Sequence, residues 1–435
     1  MAPSNRSSIL MLSIHGYVAA QPKLGLPDTG GQVVFVLELA RQFAEMGYEV
    51  DICTRRFEDQ PAIEQIAPRL RLLRIPCGGR EFVRKEDMHD HLDEFVRNFL
   101  SEASRLELRY DVIDSHYWDA GWAAQQIADT LGISHVHTPH SLGAWKRRQM
   151  RDAGEVIDVN YRFPERIEKE KRVYHQCDHL IATSTEQADL LARQYGVEPS
   201  KITMIPPGMD AQRFRPAAPE QIAELRQKLN MSAHDVYALG RIAPNKGYDL
   251  LVRSLPTLRK LVADARLVLA VGAGSEPDQQ RVARLREVAD SCGATPHVDF
   301  RGYIPDDQLA DHYRAAGVFA LCSRYEPFGM TAVEAMACGT PTVITIHGGL
   351  HAAVDFGVHA LYADPKQPEE YAAALAMPLL YPQLRQRLAQ AGAQLAHGRY
   401  SWTAIARRTL EVLGEVAPQD DEERNGRYAP AEVRL

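Results

Sequence analysis

The chain has 435 residues, 45% of them hydrophobic and 25% charged, so it has the composition of a globular protein and the length of two domains. Its formal net charge of −7, with no long run of Lys and Arg, argues against nucleic acid as the main partner. No stretch approaches the ~20 apolar residues that a helix needs to cross a bilayer, so we expect no membrane partner.

Short apolar runs alternate with amphipathic ones in the first half of the chain, which indicates an α/β fold with mostly parallel strands. A helix is predicted over Gln32–Met46, because apolar residues recur there at helical spacing. The predicted strands are Ile9–Ile14, Tyr48–Cys53, Arg71–Ile75, Val112–Ser115, Ser134–His137 and Leu180–Thr183.

A break follows at Ile205–Pro216, where three prolines and a glycine in twelve residues indicate a stiff extended linker. The pattern then restarts with a helix over Tyr248–Leu261 and with strands at Val236–Leu239, Arg266–Val271, Val298–Arg301, Val318–Leu321 and Thr342–Ile344. We therefore predict two Rossmann-like domains, 1–207 and 208–399, with a helix over about 400–416 that packs back on the first domain and a loose tail over 417–435.

Doubly wound sheets bind ligands beyond the carboxyl ends of their strands, so the loops that follow strands deserve most weight. Arg241 and Lys246 lie five residues apart after the strand Val236–Leu239, and 245–247 is predicted to open the next helix. Two cations beside the N–H groups of a helix start suit a diphosphate. The alternative is that both are solvated loop charges.

A second group of polar residues follows the strand Val318–Leu321. Glu326 precedes a predicted helix start at 328–330, and Glu334 lies eight positions after Glu326. Carboxylates accept hydrogen bonds from paired hydroxyls, and helix-start N–H groups bind phosphate, so this loop suits a ligand that carries both. The alternatives are a helix cap for Glu326 and a solvated helix face for Glu334.

Polar residues also follow strands of the first half. Gly30 and Gly31 precede Gln32 at a helix start, and glycines there let a ligand approach the backbone, although the Gly-x-Gly-x-x-Gly fingerprint is absent. His140 and Ser141 follow another strand.

Three cations of the same half are candidates for holding an anion. Lys146 lies shortly after Ser141, whereas Lys85 and Arg166 lie elsewhere in the chain. For Lys85 and Arg166, chemistry alone leaves structural and ligand-binding roles equally open.

The whole set resembles the retaining GT-B glycosyltransferases, whose Glu-x7-Glu motif matches Glu326–Glu334, and the likeness covers nearly the whole chain. The segments LPDTGGQVVFVLELAR, RIPCGGREFVRKE, SHYWDAG and HTPHSLGAWK resemble the sucrose synthase and sucrose-phosphate synthase branch, and within it most of all mannosylfructose-phosphate synthase.

This resemblance implies two Rossmann-like domains that face each other across a cleft and a set of site residues. The implied donor-binding residues are Gly31, Arg241, Lys246, Glu326, Phe328, Gly329, Met330, Thr331 and Glu334. The implied acceptor-binding residues are Gly30, Gln32, Lys85, Tyr117, Ser141, Lys146 and Arg166. The implied catalytic residues are His140, Arg241, Lys246 and Glu326.

The activity implied by the resemblance is retaining transfer of mannose from GDP-mannose to fructose 6-phosphate, which gives mannosylfructose phosphate. The alternatives are a sucrose-phosphate synthase that uses UDP-glucose, a nucleotide-sugar hydrolase or epimerase, and an inactive sugar-phosphate sensor. The partners are then small molecules, a nucleotide sugar and a sugar phosphate.

No cofactor and no obligatory metal are expected, because the chain has no Asp-x-Asp signature and its Lys and Arg side chains can neutralise phosphate charge. The six cysteines are scattered and lack Cys-x-x-Cys spacing, which is typical of reduced, buried thiols. We therefore expect a cytoplasmic protein. The oligomeric state has no signal in the sequence.

Overall fold

The computed structural model describes residues 7–20, 31–152, 157–272, 276–326 and 328–417. The described residues up to Pro206, together with those from Ile405, form one compact unit, and Pro207–Ala404 form a second. The predicted domains meet at 207 and 208, one residue from this division. The predicted tail lies outside the described residues from 418 onward.

The first unit is built on a sheet with the strand order β3-β4-β2-β1-β5-β6-β7-β8 among the described residues. All neighbours are parallel except β3 and β4, which pair antiparallel. Its strands are β1 Ser8–Leu12, β2 Glu49–Arg56, β3 Ile63–Ala67, β4 Leu70–Pro76, β5 Val112–His116, β6 Ser134–Thr138, β7 His179–Ala182 and β8 Ile202–Met204. Its helices are α1 Gly31–Glu45, α2 Leu92–Arg105, α3 Trp118–Leu131, α4 Gly143–Asp152, α5 Phe163–Gln176 and α6 Thr185–Tyr195.

The second unit holds an all-parallel sheet with the order β11-β10-β9-β12-β13-β14, again among the described residues. Its strands are β9 Asp235–Gly240, β10 Arg266–Val271, β11 Val298–Phe300, β12 Val318–Leu321, β13 Thr342–Thr345 and β14 Leu361–Ala363. Its helices are α7 Pro219–Lys228, α8 Tyr248–Leu261, α9 Glu276–Ser291, α10 Leu309–Ala315, α11 Met330–Ala337, α12 Pro368–Leu380 and α13 Pro382–Tyr400. The last helix, α14 Trp402–Val416, contributes its residues from Ile405 to the first unit.

The predicted α/β class is confirmed, and the differences from prediction lie at the sheet edges. The sequence does not predict β3, β8 or β14, and each of these is a terminal strand of its sheet. An edge strand pairs on one side only and stays partly exposed, so it lacks the continuous apolar run that marks a central parallel strand.

Of two helices predicted in the second unit, one has the observed bounds and the other begins two residues later than expected. The helix predicted over Tyr248–Leu261 is confirmed as α8, but residues Pro244–Lys246, expected to lead into it, form a separate 3-10 turn. Likewise α11 begins at Met330 rather than at Phe328, because Gly329 has a left-handed φ of 104°. Glycine adopts this conformation without strain, so it ends one segment and lets the next begin in a new direction.

Two histidines of β6 lie in the interior of the first unit. His135 and His137 are fully buried, and a nitrogen of each lies 2.7 Å from the Ser115 hydroxyl. Nδ1 of His135 lies 2.9 Å from the Gln125 side-chain oxygen. Burial lowers the pKa of His135 to about 3 and holds that of His137 well below its usual value. Both rings are therefore neutral in the folded protein.

This burial predicts a loss of stability in acid. The unfolded chain protonates these rings near pH 6.5, whereas the folded chain keeps them neutral, so the stability is complete above that pH and falls below it. Each ring lowers the free energy of unfolding by about 1.4 kcal/mol per pH unit between about pH 6 and its folded pKa. Urea unfolding of wild type and His135→Asn at pH 4.5–7.5 measures the slope. We expect the slope of the unfolding free energy against pH to be smaller in the variant, by the equivalent of about one proton taken up on unfolding. Identical slopes in the two proteins would contradict a neutral, buried His135.

Candidate functional site

Two loops of the second unit cross beyond the carboxyl ends of the neighbouring strands β9 and β12. Gly247 has a φ of 67°, and a Cβ on it would lie 2.1 Å from the Cys322 carbonyl oxygen, so the crossing requires glycine. The Arg324 guanidinium donates to both carboxylate oxygens of Asp249, at 2.7 and 2.6 Å. The backbone N–H of Arg324 also donates to the Asn245 carbonyl oxygen, at 2.7 Å. These bonds fix the two loops to each other.

The crossing brings Lys246 and Glu326 together. Lys246 Nζ lies 2.6 Å from Glu326 Oε2, and the Ser323 hydroxyl donates to the same oxygen at 2.8 Å. The Glu326 carboxylate is therefore committed to a cation, and among the described residues no side chain caps α11. An ammonium group has three donors, so Lys246 keeps donors for a further acceptor.

Arg241 is the exposed cation of this region. It follows β9, and its side chain makes no hydrogen bond or ion pair with the described residues. Burial raises the pKa of Tyr248, and the positive charge of Arg241 opposes that rise, which places the guanidinium near this tyrosine. The arrangement leaves one unpaired cation close to the loop crossing.

The start of α11 offers backbone donors beside Glu326. Phe328 is buried and packs edge-on against Tyr400, with ring centroids 5.4 Å apart. Gly329 caps the helix without a side chain, and among the described residues the N–H groups of Met330 and Thr331 have no hydrogen-bond partner. Unpaired N–H groups at a helix start favour an anion.

The sequence left open that Glu334 is a solvated charge on a helix face, and the structure shows that it is not. It lies one turn into α11, where its Oε2 accepts a hydrogen bond of 2.8 Å from the hydroxyl of the buried Tyr313. Burial raises the pKa of Glu334 to about 7, against the opposing effect of the tyrosine hydrogen bond. With this pKa, the Glu334 side chain changes between its neutral and charged forms near pH 7.

In the first unit, two strained residues follow neighbouring strands. Tyr117, after β5, has a φ of 80°, and His140, after β6, has a φ of 55°. Residues other than glycine rarely adopt such values, and they persist where the surroundings enforce them, often at functional sites. The carboxyl edge of β5 and β6 is therefore the candidate site of this unit.

Arg166 joins the residues at this edge. Its guanidinium donates to the Tyr117 hydroxyl at 3.0 Å and to the Ser141 carbonyl oxygen at 2.8 Å. Its Nε lies 2.7 Å from Oε1 of Glu170, and both charged groups are buried. Glu170 was missed in the sequence, where the i, i+4 spacing with Arg166 is its only signal. The charge of Arg166 is thus already paired within the protein.

Two other predicted acceptor residues, Gln32 and Lys85, interact with residues near this edge. The Gln32 amide donates to the Ser13 hydroxyl and to the His116 carbonyl oxygen, at 3.2 Å each. Lys85 pairs with Glu86 at 3.0 Å, and its charge acts on Tyr117.

Three predicted site residues remain, namely Lys146, Gly31 and Gly30. The Lys146 ammonium lies 5.4 Å from the centre of the Tyr161 ring. Gly31 is the first residue of α1, and a Cβ on it would meet no atom within 4 Å. Gly30 lies outside the described residues.

Two buried acids contact histidines that the sequence left without a role. His15 Nδ1 lies 2.9 Å from Asp119 Oδ2, and His116 Nε2 lies 3.2 Å from Asp114 Oδ2. His116 in turn contacts His140, with 3.0 Å between their ring nitrogens. The Asp-x-His spacing on β5, which puts both side chains on one face of the strand, was the available signal.

Two features are absent from the described residues. No helix there is long and apolar enough to cross a bilayer. No group of three or more His, Cys, Asp and Glu side chains there is arranged to hold a metal ion.

Comparison with known proteins connects both units to one family. Residues 29–213 match the model of Glycosyltransferase Family 4, and residues 221–395 match that of the group 1 glycosyl transferases. A mannosylfructose-phosphate synthase of Agrobacterium fabrum is 48% identical over 412 residues, which are 93% of this chain and 90% of that protein. A D-inositol 3-phosphate glycosyltransferase of Xylanimonas cellulosilytica is 35% identical over 94% of this chain and 96% of its own.

Solved structures agree with these relatives. The sucrose-phosphate synthase of Thermosynechococcus elongatus is similar with a TM-score of 0.74 and 27% identity, over 94% of this chain and 99% of its own. The resemblance inferred from the sequence motifs is thereby confirmed. The chain, with its two parallel-sheet α/β units, belongs to the group 1 family of glycosyltransferases and is an enzyme of the GT-B fold.

Proposed function

We propose that this glycosyltransferase transfers mannose from GDP-mannose to fructose 6-phosphate with retention at the anomeric carbon, giving mannosylfructose phosphate. The observation that carries the proposal is the Lys246–Glu326 pair beside the open N–H groups of α11, because it joins a phosphate site to a hydroxyl site. The choice of substrates follows the 48% identity to a relative named for this product. We also propose that the enzyme works in the cytoplasm, where nucleotide sugars are made.

In the donor site, Arg241 and Lys246 hold the diphosphate, and the N–H groups at the start of α11 complete its hydrogen bonds. Glu326 accepts from hydroxyls of the transferred sugar, and Glu334 accepts from the ribose. As the sugar leaves, negative charge grows on the diphosphate, and preorganised donors stabilise it without rearrangement. One such donor lowers the barrier by roughly 3–4 kcal/mol, by analogy with an oxyanion hole.

In the acceptor site, Tyr117, Ser141 and Arg166 shape the pocket at the edge of β5 and β6. Lys85 and Lys146 bind the phosphate of fructose 6-phosphate, with help from Arg166. Arg166 is already paired with Glu170 and Lys85 with Glu86, so neither of these cations brings a full uncompensated charge to the phosphate.

The proposed chemical step is a same-face displacement. The acceptor hydroxyl attacks the anomeric carbon on the face from which the diphosphate departs, and the departing phosphate oxygen takes the hydroxyl proton. No covalent intermediate on the protein is then required. We assign His140 to contact with the reacting sugar.

A second candidate is sucrose-phosphate synthesis from UDP-glucose, which the TM-score of 0.74 to a solved sucrose-phosphate synthase favours. The deciding experiment is a matrix of GDP-mannose, UDP-glucose and ADP-glucose against fructose and fructose 6-phosphate, with products identified by mass spectrometry and NMR. We expect the highest kcat/KM for GDP-mannose with fructose 6-phosphate, and an α-linked disaccharide phosphate. A higher kcat/KM with UDP-glucose supports the second candidate. Free hexose, an epimer or no turnover contradicts both.

The proposed mechanism does not require a metal. We expect kcat to stay within about twofold when the enzyme is dialysed against EDTA, because Arg241, Lys246 and helix N–H groups neutralise the diphosphate. Activity that vanishes with the chelator and returns only with Mg²⁺ would reject this part of the mechanism.

Loss of the ion pair between Arg324 and Asp249 should affect activity more than stability. We expect Arg324→Ala to lower kcat/KM for the nucleotide sugar about tenfold, because Lys246 and Glu326 lose the loop contacts that position them. The free energy of unfolding should change by about 1 kcal/mol or less, since the ion pair is one-third exposed. Steady-state kinetics measures the effect on activity, and urea unfolding measures the effect on stability. Replacement of the exposed Arg387 by alanine is the matched control. Wild-type kinetics in Arg324→Ala would show that this ion pair does not position Lys246 and Glu326.

A further inference from the structure

A buried arginine of the first unit faces the loop that leads to Lys85. Arg55 lies near the end of β2, and its side chain is buried. Its Nε donates to the Cys77 carbonyl oxygen at 2.7 Å. One of its terminal nitrogens lies 3.0, 3.1 and 2.7 Å from the carbonyl oxygens of Gly78, Gly79 and Glu81. The loop that follows β4 is therefore wrapped around a single guanidinium group.

The backbone of this loop is shaped for such an arrangement. Gly78 and Gly79 have φ values of 63° and 74°, which glycine adopts without strain. On its other side the loop is held by α2, because the Gly78 N–H donates to Oε2 of Glu94 at 2.9 Å. A buried cation and buried carbonyl groups need partners, and the planar set of donors on an arginine can serve several acceptors at once.

The chain is also held on both sides of Lys85. Before it, the Phe82 ring stacks on the Tyr17 ring, with centroids 5.5 Å apart and 6° between the planes. After it, the Asp90 carboxylate accepts from two nitrogens of Arg162, at 2.7 and 2.9 Å. Lys85 therefore extends from a short stretch of chain between two fixed points.

The position of Lys85 connects this loop with the candidate site of the first unit. Burial raises the pKa of Tyr117, and the positive charges of Arg166 and Lys85 oppose that rise, which places Lys85 near the carboxyl edge of β5 and β6. Ordering a long, flexible side chain costs conformational entropy, and a fixed backbone lowers that cost. The loop thus prepares Lys85 to bind at this edge.

We propose that Arg55 is a positioning residue of the acceptor site, which fixes the loop over 77–81 so that Lys85 reaches the phosphate of the sugar phosphate. The inference rests on the proposed function for the ligand of Lys85, whereas the hold of Arg55 on the loop rests on its contacts alone. Because Arg55 acts through the loop, its effect on the acceptor should vanish when Lys85 is absent.

The first test is hydrogen exchange of the full chain, read by mass spectrometry on peptides that cover 77–87. Arg55→Lys keeps the charge, but one nitrogen cannot replace both Nε and a terminal nitrogen, so we expect these amides to exchange about tenfold faster. Glu94→Ala, which releases the other side of the loop, should have a similar effect. Arg56→Lys, an exposed change at the next position of β2, is the matched control. Unchanged exchange over 77–87, or an equal increase throughout the first unit, would overturn the proposal.

The second test is kinetic and uses the active substrate pair. We expect Arg55→Lys to raise KM for fructose 6-phosphate about tenfold, with kcat and KM for the nucleotide sugar within about threefold of wild type. Lys85→Ala should raise the acceptor KM at least as much. In the double variant, Arg55→Lys should add less than about twofold to the effect of Lys85→Ala. An undiminished effect of Arg55→Lys in the absence of Lys85, or equal increases in both KM values, would overturn the positioning role.

The two tests separate this inference from the proposed function. The exchange measurement needs no substrate. If the substrate matrix yields no product while the loop over 77–87 loosens in Arg55→Lys, the proposed function fails, and with it the ligand of Lys85, whereas the hold of Arg55 on the loop is confirmed. If the product forms but the two substitutions act independently, the proposed function stands and the link from Arg55 to Lys85 is wrong.

Discussion

Replacing Lys246 by alanine is expected to lower kcat by two orders of magnitude or more. The ammonium group lies 2.6 Å from Oε2 of Glu326, a residue that precedes the start of α11 at Met330 by four positions. Removing one preorganised donor from a developing oxyanion costs about 3 kcal/mol, which corresponds to more than a hundredfold in rate. The variant also leaves the Glu326 carboxylate, which is mostly buried, without its cation.

Steady-state kinetics with the active substrate pair measures this loss, and circular dichroism checks that the variant is folded. Lys260→Ala removes an exposed lysine from the end of α8 and serves as the matched control, for which we expect wild-type kinetics. If Lys246→Ala keeps kcat and both KM values within about threefold of wild type, the diphosphate assignment is wrong.

A large loss of stability is expected when Arg166 is replaced by alanine. The change leaves the fully buried Glu170 carboxylate without a cation, and breaking one half of a buried pair costs about 3–5 kcal/mol in the free energy of unfolding. The Tyr117 hydroxyl and the Ser141 carbonyl oxygen lose a donor as well. Since we propose that these groups line the acceptor pocket, KM for fructose 6-phosphate should rise far more than KM for the donor.

Urea unfolding and steady-state kinetics at low temperature test both parts of this prediction. The double variant Arg166→Met with Glu170→Gln removes both charges and should recover part of the lost stability, while KM for the acceptor stays high. Lys171→Ala, an exposed change on the same helix, is the control. Equal increases in both KM values would place Arg166 outside the acceptor pocket, and an unchanged unfolding free energy would contradict the buried pair.

The sequence predicts the fold well and singles out the loops after β9 and β12, because these signals are local. Central parallel strands are continuous apolar runs, and β10 and β12 have the predicted bounds. Lys246, Glu326 and Glu334 stand out because each follows a strand at a spacing typical of phosphate and hydroxyl recognition. Such features depend on a few neighbouring residues, so they are visible before any tertiary contact is known.

The partners of these residues were not predictable from the sequence because they depend on long-range contacts. Arg324 and Asp249 are 75 positions apart and become partners only when β9 and β12 lie side by side. The sequence leaves Arg166 open between a structural and a ligand-binding role, whereas the structure shows it buried and paired with Glu170. Burial also decides the state of Glu334, whose exposure no local pattern reveals.

The assignment of the second unit as the nucleotide-sugar site is tested most directly by a crystal structure of the chain with GDP bound. The β-phosphate should lie within hydrogen-bond distance of Arg241 and Lys246 and of the N–H groups at the start of α11, with a ribose hydroxyl on Glu334. A diphosphate bound away from Arg241 and Lys246 would contradict the assignment.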